Sequence, residues 1–451
     1  MHNARLHFLA RQDPMVIPIY LADHQVKLRL LSLEMVTHLP TTMTASSFYQ
    51  ALLAEIPQKF PASFYSHLNS LDRMLENDLR NFWANLWHSW NAAPVDRLHG
   101  KWAGRPLIIV SSGPSLTGAL PILHEIGGKA LLLATGPAAR ILMAEKIRPD
   151  MVVSVDPYDP NLEHFKGWDT ADVPLAYYHR INRAVLGLYI GPKFFFLMQD
   201  EPPLPISKSG EKSTFRRGGS VAFSALELAH YLEADPVIFV GQDFAFVDGH
   251  THASACIEDL PFDANALPKD YFFVPGVGGN PVVTNRTYHS YLLYMENYLL
   301  DFARVKPGVR HINTSRVGAR INGMEHLTLE SVLAAEAAPI QASPRESIAA
   351  ARSGNQPVAR EMQKAALNTW PAELDRLLHQ VGQLEDFDRL FARFKATSLY
   401  AQAARSYDDI YYLYEVRYRG EDSPMRLAFL SRFKEHMQFV FEELLRLGAS
   451  V

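Results

Sequence analysis

Hydrophobic and polar positions divide the chain into regions of different period. Over residues 1–75, short apolar-rich runs such as Met15 to Leu21 and Val26 to Leu33 alternate with polar breaks, which predicts a small α+β accessory domain. From Leu68 to Trp90, the positions Leu71, Met74, Leu75, Leu79, Phe82, Trp83 and Leu86 recur at threes and fours. That is the spacing of an amphipathic helix leading into the next domain. After Pro106 the pattern changes again, to short, nearly unbroken aliphatic runs separated by helix-length segments. Strands are expected at Leu107–Val110, Leu131–Ala134, Met151–Val155, Leu175–Tyr178, Phe194–Leu197 and Val237–Val240. Runs apolar on both faces mark parallel strands covered on both sides. Such strands need crossovers, so helices are expected at Thr117–Ile126, Ala138–Lys146 and Val221–Glu233.

The fold class follows from that alternation: an α/β domain over 76–335 with a central Rossmann-like doubly wound parallel sheet. Beyond Ile340, the residues Ala342, Ser343, Pro344, Ser353, Gly354 and Pro357 mark a linker. Long amphipathic segments then predict a C-terminal helical bundle over 345–451, broken at Pro371, Gly420 and Pro424.

Length and composition fit several domains: 451 residues at 48% hydrophobic and 11% aromatic content exceed what one ordinary core holds. Charge is nearly balanced, 44 basic against 48 acidic residues, and advertises neither a nucleic acid nor an anionic membrane as partner. Cys256 stands alone, which excludes an intrachain disulfide framework and a cysteine cluster for zinc or iron–sulfur. Arg5, His7, Arg11, Gln12 and Asp13 interrupt the N-terminus, and no apolar stretch approaches bilayer length. The expectation is a cytoplasmic protein with no membrane span.

Candidate chemistry gathers at the ends of the expected strands, where ligands of open parallel sheets bind. Val110-Ser111-Ser112-Gly113-Pro114-Ser115-Leu116 follows the first strand and opens a helix. Gly113 allows close approach, while the loop amides and the Ser115 hydroxyl suit a phosphate or ribose. By residue type alone a simple helix cap at Ser115 explains the loop as well. Its position decides, because Thr135-Gly136-Pro137, Asp156-Pro157 and Gly241-Gln242-Asp243 arise at the same edge. Asp156 suits a ribose hydroxyl, or with Asp159 a divalent ion, against the alternative of an Asx turn before Pro157. Ribose or base contact is the better reading, since no third carboxylate is near in sequence. Arg216-Arg217-Gly218-Gly219-Ser220 forms a second glycine-rich turn before a helix, readable as an anion site or as an N-cap behind two solvated arginines. The densest polar cluster, Val240 to His252, contains Asp243, His250 and His252 and is the natural source of a general base. His250 and His252 are also spaced like a metal pair, but no further Cys or His nearby supports zinc. His289 is a further candidate that helix packing explains equally well. Neither GxGxxG, a P-loop nor GxSxG is present, which removes support for a nicotinamide oxidoreductase, a P-loop kinase and an α/β-hydrolase.

The ordered series resembles the motility-associated factor (Maf) family. It runs from Gly113-Pro114-Ser115-Leu116 through Arg148-Pro149-Asp150 and Ser154-Val155-Asp156-Pro157 to Gly219-Ser220-Val221 and Gly241-Gln242-Asp243 ending in His252. It continues through Gly279, Thr284-Asn285 and Asn313 to Gly323, so the resemblance covers about residues 95–335. The domain is also similar to 6-hydroxymethylpterin diphosphokinases, and its first motif to the nucleotide loop of bacterial sialyltransferases that use CMP-sialic acid. What the resemblance implies is a flagellin glycosyltransferase. A nonulosonic acid, pseudaminic or legionaminic in type, would pass with inversion from its CMP-activated form to Ser or Thr hydroxyls of flagellin.

Residue by residue, Gly113, Pro114 and Ser115 would then hold the CMP phosphate or ribose. Thr135 and Asp156 stand where the sialyltransferases carry asparagines, Ser220 would lie near base or phosphate, and Gly136 and Gly219 join the nucleotide-binding set. In the resulting scheme His252 is the base, Asp243 orients it, and His250 binds the sugar carboxylate or leaving phosphate. No cofactor or metal is required, and the C-terminal helices would dock flagellin. Two departures stand out: Ala245 and Phe246 replace the tyrosines that bind the leaving phosphate in those sialyltransferases, and Ser315-Arg316 replaces a glutamate-glycine pair. The alternatives are an ATP- and magnesium-dependent diphosphokinase using Asp156 and Asp159 as ion ligands, and a non-catalytic flagellin-binding accessory protein.

Overall fold

The computed structural model describes residues 77–335, 358–381, 387–414 and 424–449 with a few isolated positions between them, leaving aside 127, 200, 202–213, 217, 255, 258, 260–266 and 269–270. Apart from Arg73 and Pro344, the expected accessory domain over 1–75 and the linker residues named beyond Ile340 lie outside the described residues, as do Arg217 and Gly420.

Of the amphipathic run expected from Leu68 to Trp90, Leu71, Met74 and Leu75 lie outside the described residues, and the remainder is two helices, α1 (Asp78–Ala84) and α2 (Leu86–Asn91), parted at Asn85. Its apolar side is buried, with Leu79, Trp83 and Leu86 fully so. Its polar side is used as well: Asn85 Nδ2 donates to the carbonyls of His179 and Ile181, both at 2.8 Å, and Asn81 Nδ2 to that of Pro157 at 2.9 Å. Amide side chains buried at a helix–loop contact satisfy carbonyls that would otherwise be stranded without water.

The α/β domain follows as β1 (Ala93–Pro94), a 3-10 turn, β2 (Leu107–Val110), α3 (Leu116–His124), β3 (Leu131–Thr135), α4 (Gly136–Ala144) and β4 (Met151–Ser154). Next come α5 (Pro160–Glu163), β5 (Leu175–Tyr178), α6 (Arg183–Leu188), β6 (Lys193–Met198), β7 (Thr214–Phe215), α7 (Val221–Tyr231) and β8 (Val237–Val240). A hairpin, β9 (Tyr271–Pro275) and β10 (Pro281–Asn285), leads into the long helix α8 (Arg286–Val305), then β11 (His311–Asn313), β12 (Glu325–His326) and α9 (Leu329–Ala335). All six expected strands and all three expected helices form, with ends within about two residues of the prediction. Every residue of β2, β3, β4, β5 and β8 is buried, as both-face coverage requires.

Among the described residues the sheet has the order β1-β6-β5-β4-β3-β2-β8-β11-β12, with β7 pairing β6, and each pairing is parallel. From β2 the chain lays down β3, β4, β5 and β6 in one direction, then returns to place β8 on the other side of β2. The winding reverses between β2 and β8, and the carboxyl ends of those two strands therefore face a crevice. The fold is an α/β doubly wound sheet of Rossmann-like type.

Beyond it lie α10 (Val358–Val381), α11 (Phe387–Lys395), α12 (Ser398–Leu413) and α13 (Pro424–Gly448), so the C-terminal region is helical as expected. Pro371 is a correction, since it sits inside α10 rather than ending it. Leu367, Trp370, Leu374 and Leu377 are all at most 5% exposed on one stripe of that helix. Burial of four large side chains outweighs the roughly 3 kcal/mol cost of an interior proline. Pro424 opens α13, where a missing N–H is no loss. The chain divides into two compact units, 77–405 with 432–451 and, separately, 1–76 with 406–431. In the second, the described rings of Tyr414 and Tyr418 pack on Phe429 at 5.8 and 4.7 Å. Among the described residues no helix is long and apolar enough to cross a membrane.

Candidate active site

A cavity of about 230 Å³ opens over the β2/β8 crevice. Three strand-end loops form its floor: Ser111 to Pro114 after β2, Thr135 and Pro137 after β3, and Gly241 to Ala245 after β8. Gly219 to Ala222 at the start of α7, Thr251 and His252, and Tyr288 and Tyr291 of α8 complete the wall. The structure thus brings Gly113, Pro114, Thr135, Gly219, Ser220, Asp243 and His252 together from the sequence-derived set. Sites enclosing a drug-sized ligand measure ~300–1,000 Å³, and this cavity is smaller and open on one side. No Lys or Arg is among its described lining residues. Among the described lining residues, helix starts, amides and hydroxyls are the groups suited to an anion. The start of α4 carries no side-chain cap, whereas the Ser220 hydroxyl accepts from the Ala222 amide at 3.2 Å and so caps α7.

The other sequence-derived residues are placed differently. Ser115 does not offer its hydroxyl to the cavity: Oγ donates to Asp243 Oδ1 at 2.6 Å and its amide to Oδ2 at 2.8 Å. The carboxylate of Asp243, 128 residues away, caps α3 in place of an external anion. Asp243 is consequently engaged by Ser115 rather than orienting His252. Burial pushes its carboxyl above the usual range, and hydrogen bonds from Ser115 and Ser315 oppose that rise. The Ser315 hydroxyl also accepts from the Gly318 amide at 3.0 Å, so the Ser315 departure buttresses Asp243. Arg316 forms an exposed pair with Glu330 at 2.9 Å.

His250 lies outside the cavity wall, and its ring Nδ1 meets Asp259 Oδ2 at 2.6 Å. Gly136 is buried beneath Phe165, 3.5 Å from where a Cβ would stand. Asp156 is exposed and accepts from the Tyr158 amide at 2.9 Å, an Asx turn. Asp159 Oδ1 accepts from Asn182 Nδ2 at 2.8 Å. Among the described residues no group of three or more His, Cys, Asp or Glu is placed to hold a metal ion.

Two wall residues escaped the sequence reading. Asn285 Oδ1 caps α8 by accepting from the Tyr288 amide at 2.8 Å, and Tyr288 and Tyr291, three residues apart, share the face turned to the cavity. His289, about 100° round the helix, packs edge-on against Phe272 of the hairpin at 5.2 Å. The helix period from the Asn285 cap was the signal that separates these tyrosines from His289. Burial, then the Asp156 charge, raises the Tyr291 hydroxyl above its ordinary range, so it is a neutral donor.

Fold and cavity together define a doubly wound α/β protein with a candidate site at the topological switch point. Residues 80–249 match the family model described as 6-hydroxymethylpterin diphosphokinase MptE-like, which bears out the expected similarity for the centre of this chain. Among solved structures, the Maf glycosyltransferase from Magnetospirillum magneticum AMB-1 is similar at 16% sequence identity and a TM-score of 0.48, over 99% of this chain and 70% of that one. No curated protein matches the chain.

Proposed function

We propose that this protein is a glycosyltransferase that holds a CMP-activated nonulosonic acid at the switch-point cavity and passes the sugar, with inversion, to a Ser or Thr hydroxyl of flagellin. The observation that carries the reading is that the strand-end loops suited to a nucleotide and the imidazole of His252 line one cavity. In this scheme His252 takes the acceptor proton as the hydroxyl oxygen attacks the anomeric carbon. The bond from that carbon to the phosphate oxygen breaks, and CMP departs with the electron pair. The starts of α4 and α7 and the hydroxyls of Tyr288 and Tyr291 supply hydrogen bonds to the departing phosphate, the role that Ala245 and Phe246 cannot fill. No step calls for a metal.

The match to a diphosphokinase-like family favours a second reading, transfer of a diphosphate from ATP with magnesium. Against it, neither Asp156 nor Asp159 is among the residues that line the cavity. Calorimetric titration with CMP, and separately with ATP and magnesium, separates the two. Thr135→Val and Tyr291→Phe are the controls, because Ser115 is committed to Asp243. Saturable CMP binding weakened by both substitutions is expected; magnesium-dependent ATP binding alone would replace the glycosyltransferase with the diphosphokinase, and no binding of either would favour an accessory protein.

A further inference from the structure

The carboxylate of Asp259, which no step above uses, organises the loop that carries His252. Oδ1 accepts from the amides of Thr251 and His252 at 2.9 and 3.0 Å and from the Thr251 hydroxyl at 3.1 Å, while Oδ2 meets His250 Nδ1 at 2.6 Å. Burial works to raise this carboxyl, but the hydrogen bonds from His250, His252 and Thr251 outweigh it and hold the group below the usual carboxylate range. Asp259 is therefore an acceptor only.

That fixes the direction of the next bond. A threonine hydroxyl has one proton and here two acceptors in reach, Asp259 Oδ1 at 3.1 Å and His252 Nδ1 at 3.0 Å; the charged carboxylate is the stronger acceptor and takes it. The Thr251 oxygen also lies 3.0 Å from His252 Nδ1, and with its own proton committed it can only accept there. Nδ1 must then bear the ring proton. In a neutral imidazole the other nitrogen carries the lone pair, and Nε2 faces Tyr288, 3.5 Å from its hydroxyl.

We propose that Thr251 and Asp259 are positioning residues that hold His252 in the Nδ1-protonated tautomer, presenting Nε2 as the proton acceptor on the cavity wall. The use of that lone pair on a sugar acceptor rests on the glycosyltransferase reading, whereas the location of the proton does not. The same arrangement explains why His250 stands outside the cavity: its ring closes the fourth contact on Asp259 and so belongs to the support of His252.

Long-range nitrogen–proton correlation spectra of the ¹⁵N-labelled full chain near pH 8 test the tautomer directly, with the His252 signals assigned by their loss in His252→Gln. The expected pattern is a protonated, pyrrole-like Nδ1 and an unprotonated, pyridine-like Nε2. Thr251→Val, which keeps the shape and removes the hydroxyl, should shift that pattern toward protonated Nε2, and Thr251→Ser should restore it. Protonated Nε2 in the wild-type protein, or an unchanged pattern in a folded Thr251→Val, would overturn the proposal. Should Thr251→Val fail to fold, the wild-type spectrum alone decides. In a transfer assay Thr251→Val is expected to lower kcat about tenfold with little change in KM for the donor, and Thr251→Ser to recover it. Transfer retained by His252→Gln, alongside the expected tautomer, would overturn the base reading and leave the tautomer assignment standing.

Discussion

Gly113 shows how a single residue type is enforced at this site. A Cβ built there would stand 2.4 Å from the Gly241 carbonyl oxygen and 2.5 Å from Asp243 Oδ2, and the first of these is backbone that cannot swing aside. Gly318 is bound by the same neighbour, with its Cβ position 2.7 Å from the Asp243 Cα. Both glycines are therefore set by the packing of Asp243 between the loops after β2 and β11, and Gly113 borders the cavity for the same reason. Gly113→Ala should cost about 2–3 kcal/mol of stability by overpacking, and it should weaken CMP binding in the same step because the loops must part. Thermal unfolding and titration of one preparation check both. Unchanged melting would mean that the loops separate freely. The glycine and the serine of this loop were both legible in the sequence, but not their reason. The sequence suggested an external anion, whereas the structure supplies an internal carboxylate.

Helix α8 delivers Tyr288 and Tyr291 to the cavity only because it begins where it does, and the Asn285 side chain sets that beginning. Asn285→Ala should cost about 1 kcal/mol through the lost cap, with Asn285→Asp close to neutral. If the first turn positions the two tyrosines, nucleotide affinity should fall in the alanine variant and not in the aspartate one. Denaturant titration and calorimetry would show it, and equal affinities in all three proteins would detach the turn from the site. Elements buried on both sides, such as β2 and β8, were plain in the hydrophobic pattern. The hairpin β9–β10 was not, because Tyr271, Phe272 and Phe273 are all partly or well exposed and Pro275 and Pro281 interrupt the strand pattern. The three-residue strand β11 is likewise too short to show a period.

Across the α/β unit several histidines are buried uncharged. His230 of α7 joins Tyr298 of α8 at 2.8 Å and His311 of β11 at 2.6 Å, under a stacked Phe302 ring. Burial, then the charge of its neighbours, holds His230 well below its ordinary range, and burial lowers His311 to about 4. Burial also lowers His179 and His436 to about 3. The unfolded chain takes up protons at these sites near pH 6.5, and the folded chain refuses them until far lower. Their contribution to stability is thus complete above pH 6.5 and drains away as pH falls towards 4, by roughly 3 kcal/mol for a histidine shifted as His311 is. The free energy of unfolding should drop steeply between pH 6.5 and 5, and His311→Gln should flatten part of that slope. A profile flat over this range would show that these rings are protonated in the folded protein.

The sequence by itself determined the fold class, the places of six strands and three helices, and the loops at the strand ends, because a parallel strand buried on both faces must be apolar throughout and its exits must be polar. It did not determine the strand order. Only the pairing of β8 beside β2 brings Asp243 to Ser115 and sets His252 across from Gly113, and only the packing of α8 adds the tyrosines. The first of these pairings joins segments more than a hundred residues apart, and both are chosen by which buried faces fit one another. Local periodicity carries no record of that choice.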